Sequence, residues 1–134
     1  MPARTPEQGW DLFMTAMNAH DMNAALALYE DGAGMASMEG VFASGQDAIR
    51  SQLEPFFAMK AKIGGRVART FMANDLALIF VEWAAEARRP DGNTINFGGV
   101  STDVLRRQQD GSWLMVIDNP MGTAIVVSAA TRSA

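Results

Sequence analysis

The spacing of apolar residues changes along the chain, and each change marks an element. Trp10, Phe13, Met14 and Met17 recur at i, i+3, i+4 and i+7, which makes one buried face of a helix. Thr5-Pro6-Glu7-Gln8 supplies its start, with a capping threonine, proline at the first helical position and glutamine three residues after the cap. This helix is expected to end near Asn18-Ala19-His20. Asp21 then caps a second helix with Met22, Ala25, Leu26 and Tyr29 on its apolar face, and His20 falls at an exposed corner. Asp31-Gly32 reads as a turn and Gly34 to Glu39 as a short strand, with Met35, Ser37 and Glu39 on one face. Ser44-Gly45-Gln46-Asp47 opens a third helix, whose buried stripe is Ile49, Leu53, Phe56 and Phe57. Pro55 lies within that stripe and predicts a kink or an early end, because proline removes a backbone donor and crowds the preceding turn.

Beyond Gly64-Gly65 the pattern becomes strand-like. Arg66 to Ala73 is one strand, Asn74-Asp75 a turn, and Leu76 to Trp83 a second strand that continues toward Ala87. This second strand is apolar on both faces apart from Glu82, so both faces are expected to be covered, one by helices and the other by a second subunit. Arg88 to Asn93 is the next connection, and Gly98-Gly99 in mid-strand predicts a bulge or a strong bend. Helices in the first half and long antiparallel strands in the second give an α+β fold, with three helices on one face of a curved sheet. A domain over residues 1–120 is followed by a tail over residues 121–134, where Ile125-Val126-Val127 is a candidate edge strand.

The stretch Thr94 to Pro120 carries the candidate chemistry, since Asp103 and Asp118 interrupt otherwise apolar alternation on either side of Asp110-Gly111, a hairpin signal. A two-residue loop pairs Gln109 with Ser112 and sets Asp103 directly opposite Asp118. A four-residue loop makes the two aspartates diagonal neighbours. A three-residue loop puts them on opposite faces, because the side-chain period is 2. Like charges opposed on one face destabilise a sheet unless they share a proton or serve a site. The alternative is structural, with Asp118-Asn119-Pro120 ending a strand and Asp103 paired to Arg69 or Arg106.

Composition narrows the chemistry. Zero cysteines exclude disulfides and thiolate catalysis, and a single histidine leaves zinc short of its usual ligands, so no metal and no cofactor are expected. A net charge of -4 without a cluster of basic residues argues against nucleic acid and anionic membranes. No apolar run reaches the roughly 20 residues of a membrane span, the start lacks the apolar core of a signal peptide, and a cytoplasmic protein is expected. Ten methionines suit either ordinary core filling or an adaptable apolar pocket.

Three stretches carry a resemblance, namely AMNAHDMNAALALYEDGA, GVFASGQDAIRSQL and DVLRRQQDGSWLMVIDNP. Over Pro6 to Pro120 the chain resembles the nuclear transport factor 2-like superfamily, a cone-shaped fold, and within it the small SnoaL-like or DUF4440-type proteins. The resemblance implies a homodimer formed through the sheet and a cavity that takes a small hydrophobic molecule. Ketosteroid isomerases of that superfamily use a helix-one tyrosine, a protonated aspartate and a second aspartate on the first strand. Phe13 stands at the tyrosine position and Ser37 at the base position, leaving Asp103 as the match and Glu39 as a substitute base on the face of Ser37. Limonene epoxide hydrolases hold a water between an Arg-x-Asp pair and an aspartate on the last strand. Asp103 and Asp118 match both aspartates, and Ser101 replaces the arginine. The implied catalytic pair is therefore Asp103 and Asp118, and the implied pocket is Phe13, Met17, Tyr29, Met35, Ser37, Glu39, Trp83 and Ser101. Two functions stay open, a cofactor-free isomerase, hydrolase or cyclase, and a non-catalytic dimeric ligand-binding or association module.

Overall fold

A computed structural model describes residues 2–126. Helix α1 (Pro6–Asn18) begins where its capping signal lies, with Thr5 accepting a hydrogen bond from the Gln8 backbone N–H at 3.1 Å. Helix α2 (Met22–Leu26) is capped by Asp21, which accepts from the Ala24 N–H at 3.0 Å. It ends sooner than its apolar spacing predicts. Tyr29 is therefore not on this helix; it opens strand β1 (Tyr29–Ala36). The reason is tertiary, because the Met115 N–H takes the Leu28 carbonyl and draws the chain into the sheet one residue later. Asp31-Gly32 accordingly lies within β1 rather than in a turn.

Strand β1 stops at Ala36, and a tight turn leads into β2 (Phe42–Ser44), a short strand that the sequence pattern did not reveal. Helix α3 (Gln46–Ala58) runs through Pro55 without ending there. Proline removes only the bond to Ser51, whose exposed position lets water take its place. Strand β3 (Lys62–Ala73) contains Gly64 and Gly65 instead of starting after them. Strands β4 (Leu76–Arg88), β5 (Thr94–Arg107) and β6 (Trp113–Asp118) complete a six-stranded sheet in the order β2-β1-β6-β5-β4-β3. Every pairing is antiparallel except β1 with β6, which is parallel. Such a pairing needs a crossover, and α3 with the long strands supplies it.

Burial along β4 alternates strictly, with Ala77, Ile79, Val81, Trp83, Ala85 and Ala87 inward. Helix α1 lies across this inner face, and the core forms between α1, α3 and the sheet. The outer face carries a continuous apolar row. Phe71 pairs with Leu78, Leu78 with Val104, and Val104 with Ile117, so one stripe crosses four strands. Phe71 is 58% exposed and Ile117 40% exposed at its two ends. Residues 124–126, at the start of the candidate edge strand, form a helical turn, and Val127 lies outside the described residues. No helix among the described residues is long and apolar enough to cross a membrane.

Candidate functional site

The β5–β6 hairpin reaches its register by an indirect route. The Gln108 N–H takes the Ser112 carbonyl at 2.7 Å and the Gly111 N–H takes the Gln108 carbonyl at 2.9 Å, so the loop is Gln109 to Gly111. Gly111 has φ +86°, the left-handed residue that closes a three-residue hairpin. The pairs nearest the loop, Arg107 with Trp113, Arg106 with Leu114 and Leu105 with Met115, follow that register. Unbroken, it would send Asp103 and Asp118 to opposite faces. A bulge at Val116 intervenes, after which Val104 pairs with Ile117. One extra residue restores the parity that the longer loop removed, so Asp103 and Asp118 both turn inward. Inward burial follows suit, with Ser101, Asp103 and Leu105 on β5 and Trp113, Met115 and Asp118 on β6.

These carboxyl groups border a cavity of about 40 Å³ between the helices and the sheet. Trp10, Phe13 and Met17 reach it from α1, Met35 from β1, Phe56 from α3 and Trp83 from β4. Pockets for drug-sized ligands run to roughly 300–1,000 Å³. The cavity as it stands has room for a few waters, and a larger occupant requires Met17, Met35 and Met115 to move, which thioether side chains do readily.

Around the pair, Tyr29 Oη donates to Asp118 Oδ2 at 2.6 Å, Ser101 Oγ donates to Asp103 Oδ2 at 2.8 Å, and the Asn119 N–H donates to Asp103 Oδ1 at 3.0 Å. The two carboxyl groups lie close enough for each to shift the titration of the other. Both are almost wholly buried. Burial pushes Asp103 well above the usual carboxyl range, and the charge of Asp118 pushes it further, against the opposing pull of Ser101 and Asn119. Burial also raises Asp118, while the bonds from Tyr29 and Asp103 hold it down. The Tyr29 hydroxyl is raised by burial and then by Asp118, so it remains a donor. The two carboxyl groups therefore titrate as one coupled pair that holds protons more tightly than isolated carboxyl groups do. Neither arginine considered as a partner supplies a counter-charge, since Arg106 pairs with Glu30 at 3.0 Å and Arg69 is exposed.

The expected pocket residues separate into three groups. Phe13, Met17, Met35, Trp83 and Ser101 line the cavity. Tyr29 stands behind the lining and acts on Asp118. Ser37 and Glu39 do not belong to the site. They lie past the end of β1, where Ser37 Oγ accepts the backbone N–H groups of Glu39 at 3.3 Å and Val41 at 3.1 Å, and Glu39 is exposed. Serine and glutamate here stabilise a turn, which ends the alternation that put them on the face of Met35. Trp10 lines the cavity and was not assigned there. Its spacing on α1 marked it as buried, but nothing local to it says where its N–H points. Among the described residues no three His, Cys, Asp or Glu side chains cluster as a metal site.

The SnoaL-like domain profile matches residues 10–115, most of the chain and every element from α1 to mid-β6. The chain belongs to the SnoaL-like domain family. Its structure is similar to a nuclear transport factor 2-like superfamily protein of Salmonella enterica serovar Typhimurium, at 15% identity and TM-score 0.74 with 87% of each chain covered. It is also similar to a ketosteroid isomerase-like protein of Erwinia carotovora atroseptica, at 18% identity and TM-score 0.69, covering 84% of this chain and 89% of that one. A third likeness is to an NTF2-like-family protein of Streptomyces avermitilis provisionally named a dehydratase, at 16% identity and TM-score 0.71, covering 87% and 92%. At such identities the likeness is one of fold, which hosts many functions. No curated protein matches the chain's sequence. In this SnoaL-like domain the polar centre is built by the last two strands and Tyr29, with Phe13 supplying an apolar wall.

Proposed function

We propose that this SnoaL-like protein binds a small, mainly apolar molecule in the cavity and moves a proton on it, as a cofactor-free isomerase, hydrolase or cyclase working in the cytoplasm. The observation that supports this reading best is the buried Asp103–Asp118 pair on the cavity wall. A buried carboxyl pair whose titration is coupled and raised can share a proton, and so offers an acid and a base side by side. Asp118 takes a proton from the substrate or from a water, and Asp103 supplies one to the oxygen that gains charge. Tyr29 tunes the base through its bond to Asp118. Dehydration or enolisation of a small carbonyl compound and opening of an epoxide all fit this exchange.

A panel of small enolisable ketones, β-hydroxy ketones and epoxides, assayed with the protein and with Asp103→Asn and Asp118→Asn, tests the proposal. Either substitution should lower turnover by about 10²-fold or more. Turnover indifferent to both would remove the pair from the chemistry.

The small cavity favours a second reading, a non-catalytic association module. The outer apolar row from Phe71 to Ile117 then carries the function as the contact between two copies. We propose this homodimer for both readings, since covering that row is useful whether or not the cavity is catalytic.

A further inference from the structure

Five cavity-lining side chains carry polar atoms, Trp10, Trp83, Ser101, Asp103 and Asp118. Four are engaged within the fold. Trp83 Nε1 donates to the Pro120 carbonyl at 2.7 Å, Ser101 donates to Asp103, and the carboxyl groups are held by Tyr29 and by the Asn119 N–H. Trp10 Nε1 has no partner, although Trp10 is only 5% exposed. The other unpartnered buried side-chain atom among the described residues, Asn119 Oδ1, is not part of the lining. Buried polar atoms nearly always find a partner. Indole nitrogen is a donor and nothing else, so its partner must be an acceptor.

We infer that Trp10 is the ligand anchor of the cavity, its Nε1–H donating to the oxygen of a compact, uncharged carbonyl compound or epoxide. Three features of the lining set that class. An acceptor oxygen is required by the indole. A hydrocarbon body is required by Phe13, Met17, Met35 and Phe56. An anionic ligand is disfavoured because no lysine or arginine lines the cavity while a carboxyl pair does. A carboxylate or phosphate ligand would meet that pair at short range in a low dielectric. The inference rests on reading the cavity as the binding site, and it stands apart from whether chemistry follows binding. It gives the indole a role that the proton-transfer proposal leaves unfilled: Trp10 chooses and orients the ligand, and the carboxyl pair reacts with it.

Cyclopentanone and methylenecyclopentane, which share a shape and differ by an acceptor oxygen, are suitable probes. Each is titrated into labelled protein and followed by nitrogen–proton correlation spectra, the three indole signals being assigned from Trp→Phe variants. The ketone should bind about tenfold or more tightly than the hydrocarbon, and the Trp10 indole signal should move with the ketone alone. Trp10→Phe should cost the ketone about tenfold or more in affinity and leave that of the hydrocarbon little changed. The inference is overturned if the ketone keeps its advantage in that variant, if the Trp10 signal responds alike to both probes, or if neither probe binds up to its solubility. Should Trp10→Phe fail to fold, the indole signal of the unaltered protein decides. Turnover is read separately with Asp103→Asn. A protein that prefers the ketone through Trp10 but turns nothing over keeps the anchor and loses the proton-transfer reading. Turnover without a Trp10-dependent preference does the reverse.

Discussion

Asp103 and Asp118 are a local instability that the surrounding atoms make tolerable, and pH exposes it. In the unfolded chain both carboxyl groups titrate near 3.8, whereas folding raises both. Between the unfolded and folded values the folded pair holds more protons, so its contribution to stability falls as pH rises through that window and is most favourable below it. Thermal melts from pH 4 to pH 8 should show this decline, and Asp103→Asn should flatten it. In that variant the amide N–H replaces the carboxylic O–H toward Asp118, and its oxygen keeps the Asn119 bond. Stability at neutral pH should then be unchanged or higher. Tyr29→Phe should act differently, costing about 1–3 kcal/mol by stripping Asp118 of a charge-assisted hydrogen bond. It should also raise the titration of the pair further, which carboxyl NMR signals would report. A loss of stability in Asp103→Asn as large as that in Tyr29→Phe would return the pair to a purely structural role.

At the scale of elements the glycines of the long strands are not equivalent. Trp83 on β4 pairs with Gly65 on one side and Gly99 on the other. A Cβ on Gly65, whose φ is +152°, would stand 2.3 Å from the Glu82 carbonyl oxygen, whereas one on Gly64 would meet nothing within 4 Å. Gly65→Ala should therefore cost at least about 1–3 kcal/mol in denaturant melts, and Gly64→Ala should be neutral or mildly stabilising. The sequence shows two adjacent glycines and gives no means to rank them. The same limit applies elsewhere. The starts of α1 and α2 were legible because a cap is a local contract between Thr5 and Gln8 or between Asp21 and Ala24. The end of α2 was not, because Met115 lies far along the chain from the carbonyl it takes. The common face of Asp103 and Asp118 was not legible from the Asp-Gly loop, because the three-residue loop alone separates them and only the bulge at Val116 brings them back. A bulge has no signature in W-L-M-V-I-D beyond a missed beat of inward residues. Ser37 and Glu39 show the converse, where correct alternation was carried past the end of its strand.

The whole molecule presents two faces of opposite character, a filled inner one and an apolar outer one. If the row from Phe71 to Ile117 is covered by a second copy, light scattering at micromolar concentration should give twice the chain mass, and Leu78→Glu in the middle of the row should give the monomer. A monomer before substitution would leave that face to another purpose. The interior offers a different handle. Trp10, Trp83 and Trp113 are each less than 10% exposed, yet they sit in three distinct settings. One indole N–H is unbonded, one is bonded to the Pro120 carbonyl, and the third ring lies 5.7 Å beneath the Arg107 guanidinium. Ultraviolet excitation thus reads three emitters that differ in polarity without any added dye. Their combined emission should lie toward the blue in the folded protein and resist acrylamide quenching. A ligand oxygen that reached Trp10 would shift one emitter and leave the other two as an internal standard.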